Sequence, residues 1–165
     1  MRNPLAESIE FTPVDSRYIT VATIRHLSAW TVVLIAVVVM AVLSDSLKIP
    51  DLVWRIALGY VLVTAALDVF IARRRAKVVG YAELENELVV VHGIMFRRLE
   101  VVPYGRMQQV NLGTGPLMSL FDLASVELVT ASATTDATIP GVKKSEADRL
   151  RAKLTALGEA KLEGL

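Results

Sequence analysis

The one ionisable side chain inside an otherwise uncharged apolar run is Asp68, in IALGYVLVTAALDVFIA from Ile56 to Ala72. A carboxylate is costly to hold within a bilayer, so such a residue is a candidate for carrying a proton or an ion. Its place in the run favours a plainer role. Asp68 lies about one to two helical turns from Arg73, close to where the run ends. On an antiparallel partner helix it falls level with Ser28, Trp30 and Thr31, each of which can donate a hydrogen bond. Tyr60, Thr64 and Asp68 follow i, i+4, i+8 spacing and form one polar stripe, read as the face turned toward the partner. Two helices enclose no cavity, so helix pairing is the first reading. A small oligomeric channel or transporter using Asp68 is the alternative.

No other residues assemble a catalytic pattern. The chain has two histidines and no cysteine, which removes thiol chemistry, disulfides and cysteine metal sites. His26 stands where the first apolar run begins, and His92 beside Gly93 at a strand end. Neither is accompanied by a nucleophile elbow, an HExxH helix or a paired-carboxylate cleft. GTGP at Gly113–Pro116 lacks the Lys-Ser/Thr of a phosphate loop. The expectation is a protein without enzymatic activity, cofactor or metal.

Composition defines the frame for these residues. A mean hydropathy of +0.48 and 53% hydrophobic content over 165 residues exceed what an ordinary soluble domain carries. The apolar residues concentrate in Leu27–Leu43 and Ile56–Ala72, each near the roughly 17–25 residues that a transmembrane helix needs. SDSLKIPDLVWR joins them as a short loop, so the two helices are antiparallel. Arg2, Arg17, Arg25, Arg73, Arg74, Arg75 and Lys77 flank the pair, against Lys48 and Arg55 in the loop. The positive-inside rule then places both termini in the cytoplasm of a multi-pass inner-membrane protein. Arg73, Arg74, Arg75 and Lys77 set topology and can also hold anionic lipid without selecting it. Before the first span, TPVD reads as a helix start, with Thr12 as N-cap and Pro13 at the first position.

After Lys77 the periodicity becomes alternating. VVGYAELENELVVVHG predicts two strands turning at Glu85–Glu87; IMFRRLEVVP and RMQQVNLG continue the pattern, separated at Pro103–Gly105. A short ambiguous apolar piece precedes a strand at Ser125–Thr130, and ATTDATIPG supplies a turn and a short strand. Ser145 with Asp148 predicts a capping box for a final helix, Ala147, Leu150, Leu154 and Leu157 its apolar stripe, and Gly158 its stop. The resulting organisation is an N-terminal interfacial segment at 1–26, a hairpin at 27–72, an α+β domain at 77–157 and a frayed tail at 158–165.

This arrangement resembles the bacterial pleckstrin-homology-like, membrane-flanked domain proteins of the YdbS-like type. The resemblance rests on VVPYGRMQQV, LMSLFDLASVELVTAS and the terminal EADRLRAKL, and covers about residues 15–157. The family's proline, aromatic, Arg, apolar, Gln pattern falls on Pro103, Tyr104, Arg106, Met107 and Gln108. Its Leu-Phe-Gly-Leu pattern falls on Leu120–Leu123, with Asp122 where glycine is expected. The resemblance implies a PH-like antiparallel barrel or sandwich capped by a C-terminal helix, and no catalytic residues.

From Lys77 onward ten Lys and Arg face eleven Asp and Glu, so the domain lacks the basic excess of a nucleic-acid or phosphoinositide binder. Arg97–Arg98 and Lys143–Lys144 read as solvated strand and helix ends. Arg106 and Gln108, with Tyr104 beside them, are the candidate interaction residues. They either line a groove for a partner, or Arg106 pairs with Glu100 or Glu127 across the sheet. The preferred function is a non-catalytic, membrane-tethered interaction module that docks a protein, such as a related membrane-flanked PH-like protein or a second copy of itself. An anionic-lipid or membrane-stress sensor and the Asp68 channel are the alternatives.

Overall fold

The computed structural model describes residues 9–43, 50–130 and 137–163, with side chains as far as residue 160. Lys48 of the expected loop and the turn expected at 133–136 lie outside the described residues. Two long helices come first, α1 at Arg17–Leu43 and α2 at Asp51–Val78, packed against each other along their length. Both are long and apolar enough to cross a membrane. Each extends beyond its apolar run, and α2 carries Arg73–Lys77 within its last turns instead of ending before them.

The chain before α1 corrects the expected helix start. Thr12–Pro13 forms a strand, β1, paired with Tyr81 and Gly80. Pro13 has no N–H to give a ladder and so suits an edge strand. Phe11 and Val14 are buried there, and a helix starting at Pro13 would lift them out of the core. Helix α1 starts at Arg17 instead, whose N–H is accepted by the Asp15 carboxylate at 2.8 Å.

Helix α2 passes through the single residue Val79 into β2 (Gly80–Glu83), followed by β3 (Glu87–His92) and β4 (Arg98–Pro103). After a 3₁₀ turn at Tyr104–Arg106 come β5 (Met107–Gly113), α3 (Pro116–Leu120), β6 (Leu123–Thr130), β7 (Ala137–Lys143) and α4 (Lys144–Glu163). The strands form two antiparallel sheets, β1-β2-β3-β4 and β5-β6-β7. Strand β3 is apolar at every interior position because both its faces are covered. Leu88 and Val90 enter the main core, whereas Val89 and Val91 pack with Phe11 and Ala82 under the N-terminal segment. Helix α4 closes the main core with Ala147, Leu150 and Leu154, all fully buried.

Two predicted boundaries of α4 move. Its first N–H, that of Lys144, is accepted by the Asp122 carbonyl at 3.1 Å, so the helix starts straight from β7 and Ser145 lies inside it. Gly158 does not stop the helix, which continues to Glu163. A Cβ at Gly158 would stand 3.7 Å from the Tyr104 carbonyl oxygen, so this buried glycine lies over the 3₁₀ turn.

Candidate functional site

Among the described residues the hairpin holds a polar cluster. His26 and Trp30 are four residues apart and so share a face of α1. From that face His26 Nδ1 lies 2.7 Å from Asp68 Oδ2, and Trp30 Nε1 donates to the same oxygen at 2.9 Å. Trp30 was among the expected donors, but the other two bond within their own helix, Ser28 to the Arg25 carbonyl and Thr31 to that of Leu27. His26 is the partner that reading missed, and its i, i+4 relation to Trp30 is the signal that would have found it. The expected polar stripe faces α1 only in part. Thr64 donates to the Tyr60 carbonyl of its own helix, and Tyr60 is 70% exposed. Only Asp68 of the three reaches α1 through a side-chain bond among the described residues.

The three residues of the candidate interaction motif separate in space. Tyr104 is fully buried, with its hydroxyl donating to the Leu84 carbonyl at 2.9 Å, so its side chain belongs to the core and offers nothing to a partner. Arg106, the last residue of the 3₁₀ turn, and Gln108, the second residue of β5, are exposed. Among the described residues Arg106 forms an ion pair with neither Glu100 nor Glu127; Glu100 lies 3.4 Å from His92 instead. Among the described strands β5 pairs only with β6, and α4 packs against it.

Sequence patterns gave no hint of a clamp between β2 and α4. Glu83 accepts from Arg149 and, at 2.6 Å, from Lys153. Arg149 also donates from Nε to Glu146 at 2.9 Å, and Tyr81 donates to Glu146 at 2.9 Å. Burial pushes the Glu83 carboxyl up, but the bonds from Arg149 and Lys153 outweigh it and bring it below the ordinary glutamate value. The Arg149 bond likewise lowers Glu146. Burial and the bond to Glu146 push the Tyr81 hydroxyl well above its ordinary value. These groups are satisfied by one another, so the cluster fastens α4 instead of forming a reactive site.

Two packed antiparallel sheets closed by a terminal helix, carried on an apolar helical pair, define a membrane protein with a PH-like head. The family model described as "Bacterial PH domain" matches residues 17–157. The chain is also 34% identical over 127 residues to the UPF0699 transmembrane protein YdbS of Bacillus subtilis, covering 76% of this chain and 79% of that one. It belongs to the bacterial PH domain family. No solved structure matches it.

Proposed function

We propose that this chain is a non-catalytic interaction module anchored in the bacterial inner membrane, with both termini cytoplasmic, whose PH-like head docks a protein partner. The observation that carries this reading is the double attachment of head to hairpin. One residue links α2 to β2, while β1 pairs with β2, and the Asp15 N–H donates to the Gly141 carbonyl at 3.0 Å just before α1 begins. A head held this way keeps a constant orientation to the membrane. The β5 edge that lacks a ladder partner among the described strands, with Arg106 just before it and Gln108 within it, then keeps one fixed relation to the bilayer, and an extended segment can add to such an edge through backbone hydrogen bonds. A partner anchored in the same membrane is favoured, because confinement raises effective concentration and lets individually weak contacts suffice. A related membrane-flanked PH-like protein meets that condition.

A photo-crosslinker placed at Gln109 in native membranes should capture a defined protein, with recovery falling on Arg106→Ala or Gln108→Ala. Recovery unaffected by both substitutions would remove this edge as the docking surface. Orientation is checked separately by reporters fused to each terminus and to the loop between the spans.

A further inference from the structure

Outside the two long helices, the exposed large apolar side chains among the described residues are Met95, Phe96, Val101 and Leu120. Three of these four stand beside the hairpin. Met95 and Phe96, 86% and 81% exposed, form the tip of the β3–β4 connection, which turns back against α2. Gly93 makes that turn possible: its φ is +98°, and a Cβ there would fall 2.1 Å from the Phe96 carbonyl oxygen. On the other side Leu120 ends α3, which packs against α1 near Val21 and Arg25.

Between the β3–β4 tip and α2 lies an open groove of about 680 Å³. Phe70 and Ile71 line it from the end of the apolar run, and Arg74 and Arg75 from the next turn. Arg98 closes it from the sheet, and His92 lies at its edge with Glu100 beyond. Arg74 lies over the Phe70 ring, 5.0 Å from its centre. Phe70 is about 12 Å along α2 from Val78, at 1.5 Å per residue, so the tip reaches back to the level where the apolar run meets charge. Arg73 and Lys77 are not among the lining residues, which divides the juxtamembrane cations into two groups.

The geometry points to a site for the headgroup of an anionic phospholipid between α2 and the β3–β4 hairpin, with Met95 and Phe96 inserted beside its acyl chains. Three arginines, Arg74, Arg75 and Arg98, line the groove and no carboxylate does, and phosphate is an anion that such planar donors bind through paired hydrogen bonds. Apolar side chains on the hairpin side and on the α3 side then reach the same bilayer surface, so the head is seated on lipid as well as tethered to it. Charge counts along the sequence missed this because Arg98 and Arg74–Arg75 are far apart in the chain and the domain as a whole is nearly neutral. The inference rests on the membrane anchoring and is independent of docking at β5.

The test uses the full chain extracted from vesicles of phosphatidylcholine with a minor fraction of phosphatidylglycerol, with bound lipid read by native mass spectrometry. Phosphatidylglycerol should be retained selectively, and Arg98→Gln should lower its retention about fivefold while the equally charged variant Arg73→Gln changes it little. The chain has no native cysteine, so Met95→Cys and Val101→Cys each accept a single fluorophore. Lipid-borne quenchers in the same vesicles should reach position 95 and not position 101. Equal lipid loss in the two arginine variants, which would mean diffuse charge attraction only, overturns the site. So does displacement of the lipid by millimolar inorganic phosphate, or equal quenching at the two labels. A partner protein's helix filling the groove would leave lipid retention insensitive to Arg98→Gln, which also overturns it.

Discussion

His26 Nδ1 and Asp68 Oδ2 meet at 2.7 Å across the two long helices, and Trp30 shares the same carboxylate oxygen. A carboxylate engaged by two side chains of the neighbouring helix joins that helix to its own. Asp68→Ala should therefore cost about 1–2 kcal/mol of hairpin stability, near the upper end for interhelical bonds in membranes. Asp68→Asn, which keeps an acceptor for Trp30, should cost less. Unfolding in mixed detergent micelles measures both. Ion flux in vesicles should be the same for the native chain and Asp68→Asn; a flux abolished by that change would restore the transport reading.

What was legible in the sequence followed from period and composition. The apolar runs marked the spans, short apolar or alternating segments bounded by turn residues marked β2 to β6, and Ala147, Leu150 and Leu154 marked the buried face of α4. What was not legible depended on pairs distant in the chain. Thr12–Pro13 reads locally as a helix start, yet its neighbours Phe11 and Val14 are drawn into the core, and β1 joins β2 some seventy residues later. Tyr104 was grouped with Arg106 and Gln108 because it stands beside them in the chain, whereas the 3₁₀ turn folds its ring inward under α4. Gly158 carries the residue type of a helix stop, but its packing over that turn lets the helix continue. The Glu83–Arg149 clamp spans 66 residues, a separation at which sequence periodicity carries no signal.

Gly141 couples the head to α1. Its φ is +67°, and a Cβ there would lie 2.3 Å from Cγ of Tyr18. Gly141→Ala combines a left-handed backbone with overpacking, and should destabilise the protein by about 2–4 kcal/mol. Adding Tyr18→Ala frees the space but not the backbone, so it should recover only part of the loss. Thermal unfolding of the two variants in detergent checks this.

The α4 clamp should give stability an acid and an alkaline limb. Glu83 and Glu146 are held below the ordinary glutamate value of 4.5. Their contribution is therefore present above that pH and is lost as pH falls through their folded values. Tyr81 is raised above its ordinary 10.0, so its contribution is present below that pH and lost as pH rises past it. Glu83→Gln should cost about 1 kcal/mol at neutral pH and flatten the acid limb, because the pair is partly solvated. Tyr81→Phe should remove the alkaline limb and, by taking one bond from Glu146, weaken the acid limb to a lesser extent. Denaturation across the pH range in one detergent separates the two.

Gly158 lies inside a continuous helix, and an added Cβ would meet its nearest neighbour at 3.7 Å, an ordinary contact. Replacing it with alanine removes backbone freedom from the unfolded chain without a clash. Gly158→Ala should stabilise the head by about 0.5–1 kcal/mol, read as a rise in the unfolding midpoint. A fall would show that the helix ends at this position after all.

Asp122 occupies the position where the family pattern expects glycine, and it adopts the conformation that glycine would supply, with φ of 58°. Its N–H donates to the Ser119 carbonyl at 3.2 Å, and its own carbonyl accepts from Lys144 at the start of α4. Both bonds use the backbone alone, so a residue without a side chain keeps them. A left-handed non-glycine residue costs about 1–2 kcal/mol, less for aspartate than for a bulkier side chain. Glycine recovers part of that cost but adds freedom to the unfolded chain. Asp122→Gly should therefore raise stability by up to about 1 kcal/mol, while Asp122→Val should lower it by more than 1 kcal/mol because a β-branched side chain fits this backbone least well. Equal midpoints for the two variants would mean that the α3–β6 turn relaxes to another conformation when Asp122 is replaced.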